Sequence, residues 1–146
     1  MQEIDRKAWL SILAKAPAAE VAKHFTALDV QTDYTQLRAP EIGAVMMRGR
    51  MGGTGDAFNL GEMTVTRCSI ELASGEIGHG YVQGRNRVKA EQVAVLDALL
   101  QTRHADALLR DIVLPLQQNM ATTQDTNAKK AAATKVDFFT LVRGED

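Results

Sequence analysis

The stretch Arg50-Met51-Gly52-Gly53-Thr54-Gly55-Asp56 sets three glycines within four residues behind an arginine. Successive backbone N–H groups in a glycine-rich turn can cup an anion, and Arg50 would add charge beside it. The same glycines also suit a wide hairpin loop that needs positive φ. The common nucleotide loops do not fit. A Walker A loop carries a lysine after its last glycine and runs into a helix, and no lysine follows Gly55. A dinucleotide fingerprint opens a helix after a strand, whereas Gly53-Thr54-Gly55 leads into Asp56, Ala57 and Phe58. Arg50, Gly52, Gly53, Thr54 and Gly55 are therefore a hairpin loop first, and a phosphate or interface site only when a neighbour completes it.

A second basic patch, Gly84-Arg85-Asn86-Arg87-Val88-Lys89, places three cations where a helix begins. There they oppose the positive end of the macrodipole, and a bound anion or an acidic partner would relieve the opposition. The alternative is three solvated side chains pointing apart. His24, His79 and His104 fall on different predicted elements without ligand spacing, so no metal site is expected. His79, in the glycine-flanked run GHGYVQGR, is the histidine best placed to face a ligand, against the plainer reading of a surface residue. Cys68 stands among β-branched residues as a small core residue, and Asp97, in an apolar helix, as a polar contact. No self-sufficient active site is expected.

The balance of the chain limits the partners. Hydrophobic residues at 45% and charged residues at 24% are ordinary for a soluble globular protein, and a formal charge of −1 lacks the basic excess of a general nucleic-acid or anionic-membrane binder. One cysteine excludes an intramolecular disulfide and a cysteine-rich metal site. The opening residues lack the uninterrupted apolar core of a signal peptide, and no run reaches membrane-spanning length. A cytoplasmic location is expected, with no nucleic acid and no membrane among the partners.

The elements that must position these residues follow from periodicity. Ile4, Ala8, Trp9, Ile12, Leu13 and Ala16 make a helical stripe; Pro17 starts a second helix with Val21, Phe25 and Leu28 inward, ending near Asp29. A helix-turn-helix DNA reader is disfavoured, because Lys7, Lys15, Lys23 and His24 are countered by Glu3, Asp5, Glu20 and Asp29. Strand-like runs cover 34–38 and 42–51, with Pro40 marking a break or an edge, and 63–72 and 76–83 follow. Within 63–72 the apolar set shifts parity, which predicts a bulge near Arg67 or a strand covered on both faces. Ser74-Gly75 is a turn. Asn86 caps a helix with Val88, Val93, Leu96, Leu99 and Leu100 on its apolar side, and a later helix from about Ala105 must kink or divide at Pro115. The segment 121–135 is polar and alanine-rich, and apolar density returns at VDFFTLV. The class is α+β in one domain, 1–146: a helical hairpin (1–30), a small antiparallel sheet with a glycine-rich hairpin loop (34–84), helices (86–134) and a docking tail (135–146).

RMGGTG, GYVQGR and KVDFFTLVRGE occur in that order, and together with the RKAWLSILAKA opening and the Pro17 helix they resemble the PhnG family of the bacterial carbon–phosphorus lyase system. The resemblance covers nearly the whole chain. It implies phosphonate catabolism by a non-autonomous subunit of alpha-D-ribose 1-methylphosphonate 5-triphosphate synthase. Acting with PhnH, PhnI and PhnL, such a subunit supports displacement of adenine from ATP by methylphosphonate, with the nucleosidase chemistry associated mainly with PhnI. The resemblance also implies a larger obligate complex with PhnH, PhnI and PhnJ, in which the iron–sulfur cluster and S-adenosylmethionine belong to PhnJ and no cofactor to this chain. It transfers no catalytic residue. Arg50, Arg85 and Arg87 are the phosphate or interface candidates, and Phe138, Phe139, Leu141 and Arg143 the partner-interface candidates. A stand-alone anion-binding module without catalytic activity is the alternative.

Overall fold

The computed structural model describes residues 4–28, 32–50, 57–123, 125, 126, 128 and 129, without the side chains of Met47, Arg50 and 57–60. Helix α1 (Arg6–Lys15) is capped by Asp5, whose side chain accepts from the Ala8 N–H. Ala16 and Pro17 turn the chain into α2 (Ala18–Thr26), with Pro17 at the N-cap, where its missing N–H is no loss. Ile12, Leu13 and Val21 are buried, and Trp9, Phe25 and Leu28 pack against the same core. The expected end of this hairpin at Asp29 lies outside the described residues.

Three antiparallel strands follow in the order β1 (Tyr34–Arg50), β2 (Ala57–Leu72), β3 (Ile77–Gln83). The two runs expected on either side of Pro40 are one strand. β1 is an edge, where a residue without an N–H is tolerated, and Pro40 sits within a register shift between Arg38 and Glu41. The bulge expected near Arg67 is likewise on β1, opposite: the β2–β3 register runs unbroken from Val65↔Gln83 to Glu71↔Ile77. Val65 and Thr66, which point to opposite faces, are both buried, so β2 is covered on both sides there. The Ser74-Gly75 turn forms as expected, with Gly75 at φ 105° and its N–H donating to the Leu72 carbonyl at 2.8 Å.

Helix α3 (Arg87–Leu99) begins at Asn86, whose Oδ1 accepts from the Lys89 N–H at 3.0 Å. It is apolar almost all round because it lies between the sheet and the outer helices, with Ala90, Val93, Ala94, Val95, Leu96, Ala98 and Leu99 buried. Val88 is an exception to the expected apolar side: it is 64% exposed, and Lys89 takes the inward position. Helix α4 (Ala105–Leu108) passes through a π turn, Leu109–Val113, into a helical stretch at 114–123. Pro115 therefore does not divide the helix. The widened turn lies where the proline ring would otherwise meet the preceding turn's carbonyl.

The approach of α3 to β3 explains GHG. An added Cβ at Gly78 would lie 1.9 Å from the Ala94 carbonyl oxygen, and one at Gly80 1.9 Å from that of Ala90. The large residues of β3, Ile77, His79 and Tyr81, consequently face away from the helix.

Candidate functional site

Beyond the Val65↔Gln83 pair, β1 and β2 continue without β3 as a two-stranded ribbon, from Ala44↔Thr64 to Arg50↔Ala57. No residue of this ribbon with a described side chain is buried, and Met46 is 51% exposed. Six residue steps from Ala44 to Arg50, at roughly 3.3 Å each, make the ribbon about 20 Å long. Arg50 is the last paired residue of β1 among the described residues. The glycine-rich loop, Gly52, Gly53, Thr54 and Gly55, lies outside the described residues, as do Phe138, Phe139, Leu141 and Arg143.

Arg85 and Arg87 stand at the other end of that ribbon. Gly84, at φ 93°, ends β3, and its N–H donates to the Thr64 carbonyl at 2.7 Å. Thr66 fixes the turn into α3: its fully buried hydroxyl donates to the Gly84 carbonyl at 2.6 Å and accepts from the Asn86 N–H at 3.1 Å. Arg85 and Arg87 are exposed and have no ion-pair partner among the described residues. The third cation of the patch is used internally. Lys89 Nζ donates to the Ala14 carbonyl at 2.8 Å, a cation at the C-terminal end of α1, and burial holds its ammonium below the ordinary lysine value. Backbone geometry thus keeps the Arg50 end of the ribbon and the Arg85–Arg87 pair apart.

The polar groups nearest the core hold the fold together. Asp97, fully buried on α3, accepts from Arg6 Nε at 3.2 Å, Arg6 Nη2 at 3.0 Å, Trp9 Nε1 at 2.8 Å and the His79 backbone N–H at 2.9 Å. The carboxylate therefore ties α1 and β3 to α3, the polar contact read from the sequence. Bonding to Asp97 also raises the Arg6 pKa further. Tyr34 Oη and Gln36 Nε2 both donate to Glu91 Oε1, at 2.9 and 2.8 Å, joining β1 to α3. Cys68 is a buried core residue, as read, and burial pushes its thiol up to about 11, far from a ready nucleophile. His79 has an exposed ring on the outer sheet face, its Nδ1 2.9 Å from Ser69 Oγ.

Sequence reasoning read Asp97 as a polar contact without its partners Arg6, Trp9 and His79, and passed over the hinge at Thr66. The signal for the first was a lone carboxylate within an apolar helix. For the second it was a threonine in step with Cys68, Ile70 and Leu72.

A helix wrapped by a three-stranded sheet and outer helices, with a two-stranded ribbon that no buried residue anchors among the described side chains, defines a small α+β domain. Residues 4–144 match the model of the family described as phosphonate metabolism protein PhnG, and the chain belongs to that family. It is 41% identical over 145 residues to the alpha-D-ribose 1-methylphosphonate 5-triphosphate synthase subunit PhnG of Rhizobium meliloti (strain 1021), covering 97% of this chain and 90% of the relative. No helix among the described residues is long and apolar enough to cross a membrane.

Proposed function

We propose that this chain is the PhnG-type subunit of an alpha-D-ribose 1-methylphosphonate 5-triphosphate synthase complex, in which methylphosphonate displaces adenine from ATP. It serves mainly in assembly. The observation that carries the assembly role is the bare ribbon between Ala44↔Thr64 and Arg50↔Ala57. A two-stranded ribbon is marginal alone in water and gains stability when another surface covers it. In this reading PhnH, PhnI and PhnJ supply that surface in an obligate hetero-oligomer with PhnL-type ATP-binding partners, and the ribbon carries Arg50 and the glycine loop toward them.

The iron–sulfur and S-adenosylmethionine chemistry belongs to PhnJ in this reading. A cluster is held by thiolates, and the one cysteine of this chain is enclosed in the core as a neutral thiol. The tail residues Phe138, Phe139, Leu141 and Arg143 are proposed as further partner anchors on their sequence alone.

The test is adenine release from ATP and methylphosphonate by the partner subunits, with this chain, without it, and with a chain whose ribbon is cut back to Ala44 and Thr64 and closed by a two-residue turn. Release is expected to need the full chain. The shortened chain is expected to keep its thermal midpoint while failing to co-purify. Full release in the absence of this chain would remove the subunit reading, and a free-standing anion-binding module would replace it.

A further inference from the structure

The outer face of the sheet carries two adjacent rows that cross all three strands. One is Arg38↔Ser69↔His79 and the other Glu41↔Arg67↔Tyr81, aligned by the pairing of β2 with both neighbours. Their inward alternates on β2 and β3, Thr66, Cys68, Gly80 and Val82, are buried, so these rows point away from α3. Residues three apart on a regular strand face opposite ways. The register shift between Arg38 and Glu41 breaks that rule and brings both to the outer face. Bulges recur where a strand must re-aim a side chain toward a site.

Arg38, Arg67, Ser69, His79 and Tyr81 line a recess of about 250 Å³ on this face. Glu41 Oε2 lies 3.6 Å from Arg38 Nη1 and 3.9 Å from Arg67 Nη2. Both separations exceed a good charge-assisted hydrogen bond, so a single carboxylate holds two guanidinium groups side by side without consuming their donors. Ser69 occupies His79 Nδ1 and leaves Nε2 without a partner among the described residues. The Tyr81 hydroxyl adds a further donor, and its side chain is exposed.

We infer that this recess is a binding site for a tetrahedral oxyanion of the phosphate or phosphonate class. Arg38 and Arg67 supply the charge and the forked donors that match such a group, and His79 and Tyr81 complete its coordination. The site stands on the geometry of the two rows; the preference for phosphonyl and phosphoryl groups over other oxyanions rests on the function proposed above.

The test is an NMR titration of the full chain, following the His79 ring resonances with methylphosphonate, inorganic phosphate and ATP at constant ionic strength. Saturable shifts at millimolar anion are expected. Arg38→Gln combined with Arg67→Gln is expected to weaken binding about tenfold or more, since each removes a charge-assisted bond. Glu41→Gln, which removes the competing carboxylate, is expected to tighten it. A preference for methylphosphonate identifies a free phosphonate as the source, and a preference for ATP identifies the polyphosphate end of a nucleotide. His79 resonances unmoved by all three anions overturn the site, as does a response undiminished in the double variant. These readouts are independent of adenine release, so the site and the subunit reading fail separately.

Discussion

Asp97 accepts hydrogen bonds from Arg6, Trp9 and His79 while fully enclosed, so removing its carboxylate strands donors on two other elements. Arg6 is nearly half exposed and can turn to solvent, but the indole and the backbone N–H have less freedom. Asp97→Ala is expected to destabilise the chain by about 3–5 kcal/mol, the range for breaking a buried charged contact from one side. Asp97→Asn keeps the volume and one acceptor, and is expected to lose about 1–3 kcal/mol. Urea unfolding of both variants checks this, and an unchanged midpoint for Asp97→Ala would show that the clasp contributes nothing. The identity of this carboxylate as a polar contact was legible in the sequence, because a lone charge inside an apolar helix must be satisfied when buried. Its partners were not, since Arg6 is separated from it by most of the chain.

The β3–α3 interface is decided by what is missing from two residues. Backbone atoms of α3 occupy the positions that a Cβ would take at Gly78 and Gly80, so no rotamer change can make room. Gly78→Ala or Gly80→Ala must push the helix off the sheet, at a cost of about 3 kcal/mol each. For a chain of this size that lowers Tm by roughly 10 °C. Gly43→Ala, whose Cβ meets nothing within 4 Å, is the control and is expected to stay within about 0.5 kcal/mol of the parent. Differential scanning calorimetry separates the two cases. The strand itself was readable from alternation and from the Ser74-Gly75 turn. That its glycines serve helix packing was hidden, because the matching small residues, Ala90, Ala94 and Ala98, lie on another element.

At the scale of the molecule, the core keeps two weak acids protonated. Burial pushes the Cys68 thiol from 9.0 up to about 11, and burial followed by the hydrogen bond to Glu91 pushes the Tyr34 phenol from 10.0 up to about 12. Both folded values lie above the unfolded ones, so the unfolded chain loses these protons first as pH rises. The contribution to stability is complete below pH 9.0, declines as pH passes the unfolded values, and is gone above about 12. Urea midpoints are therefore expected to be flat on account of these groups from neutral pH to the unfolded thiol value and then to fall, with Tyr34→Phe shallower above pH 10.0. A midpoint that stays level to about pH 12 would exclude this linkage. The thiol is also expected to resist a disulfide reagent at neutral pH until the chain is unfolded.

Local chemistry in the sequence determined the helical hairpin, the Asn86 cap, the Ser74-Gly75 turn, the buried Cys68 and the α+β class, because caps, turns and periodicity act over a few residues. The family resemblance was equally legible there, in motifs spread along the chain. Tertiary structure decided the rest. It made one edge strand of the two runs around Pro40, because an edge tolerates a missing N–H. It turned Lys89 inward to the end of α1 and left Val88 in solvent, because the position of a neighbouring carbonyl outweighed the apolar pattern. It also aligned Arg38, Arg67, Ser69, His79 and Tyr81 on one face, which only the strand register and a bulge in β1 bring about.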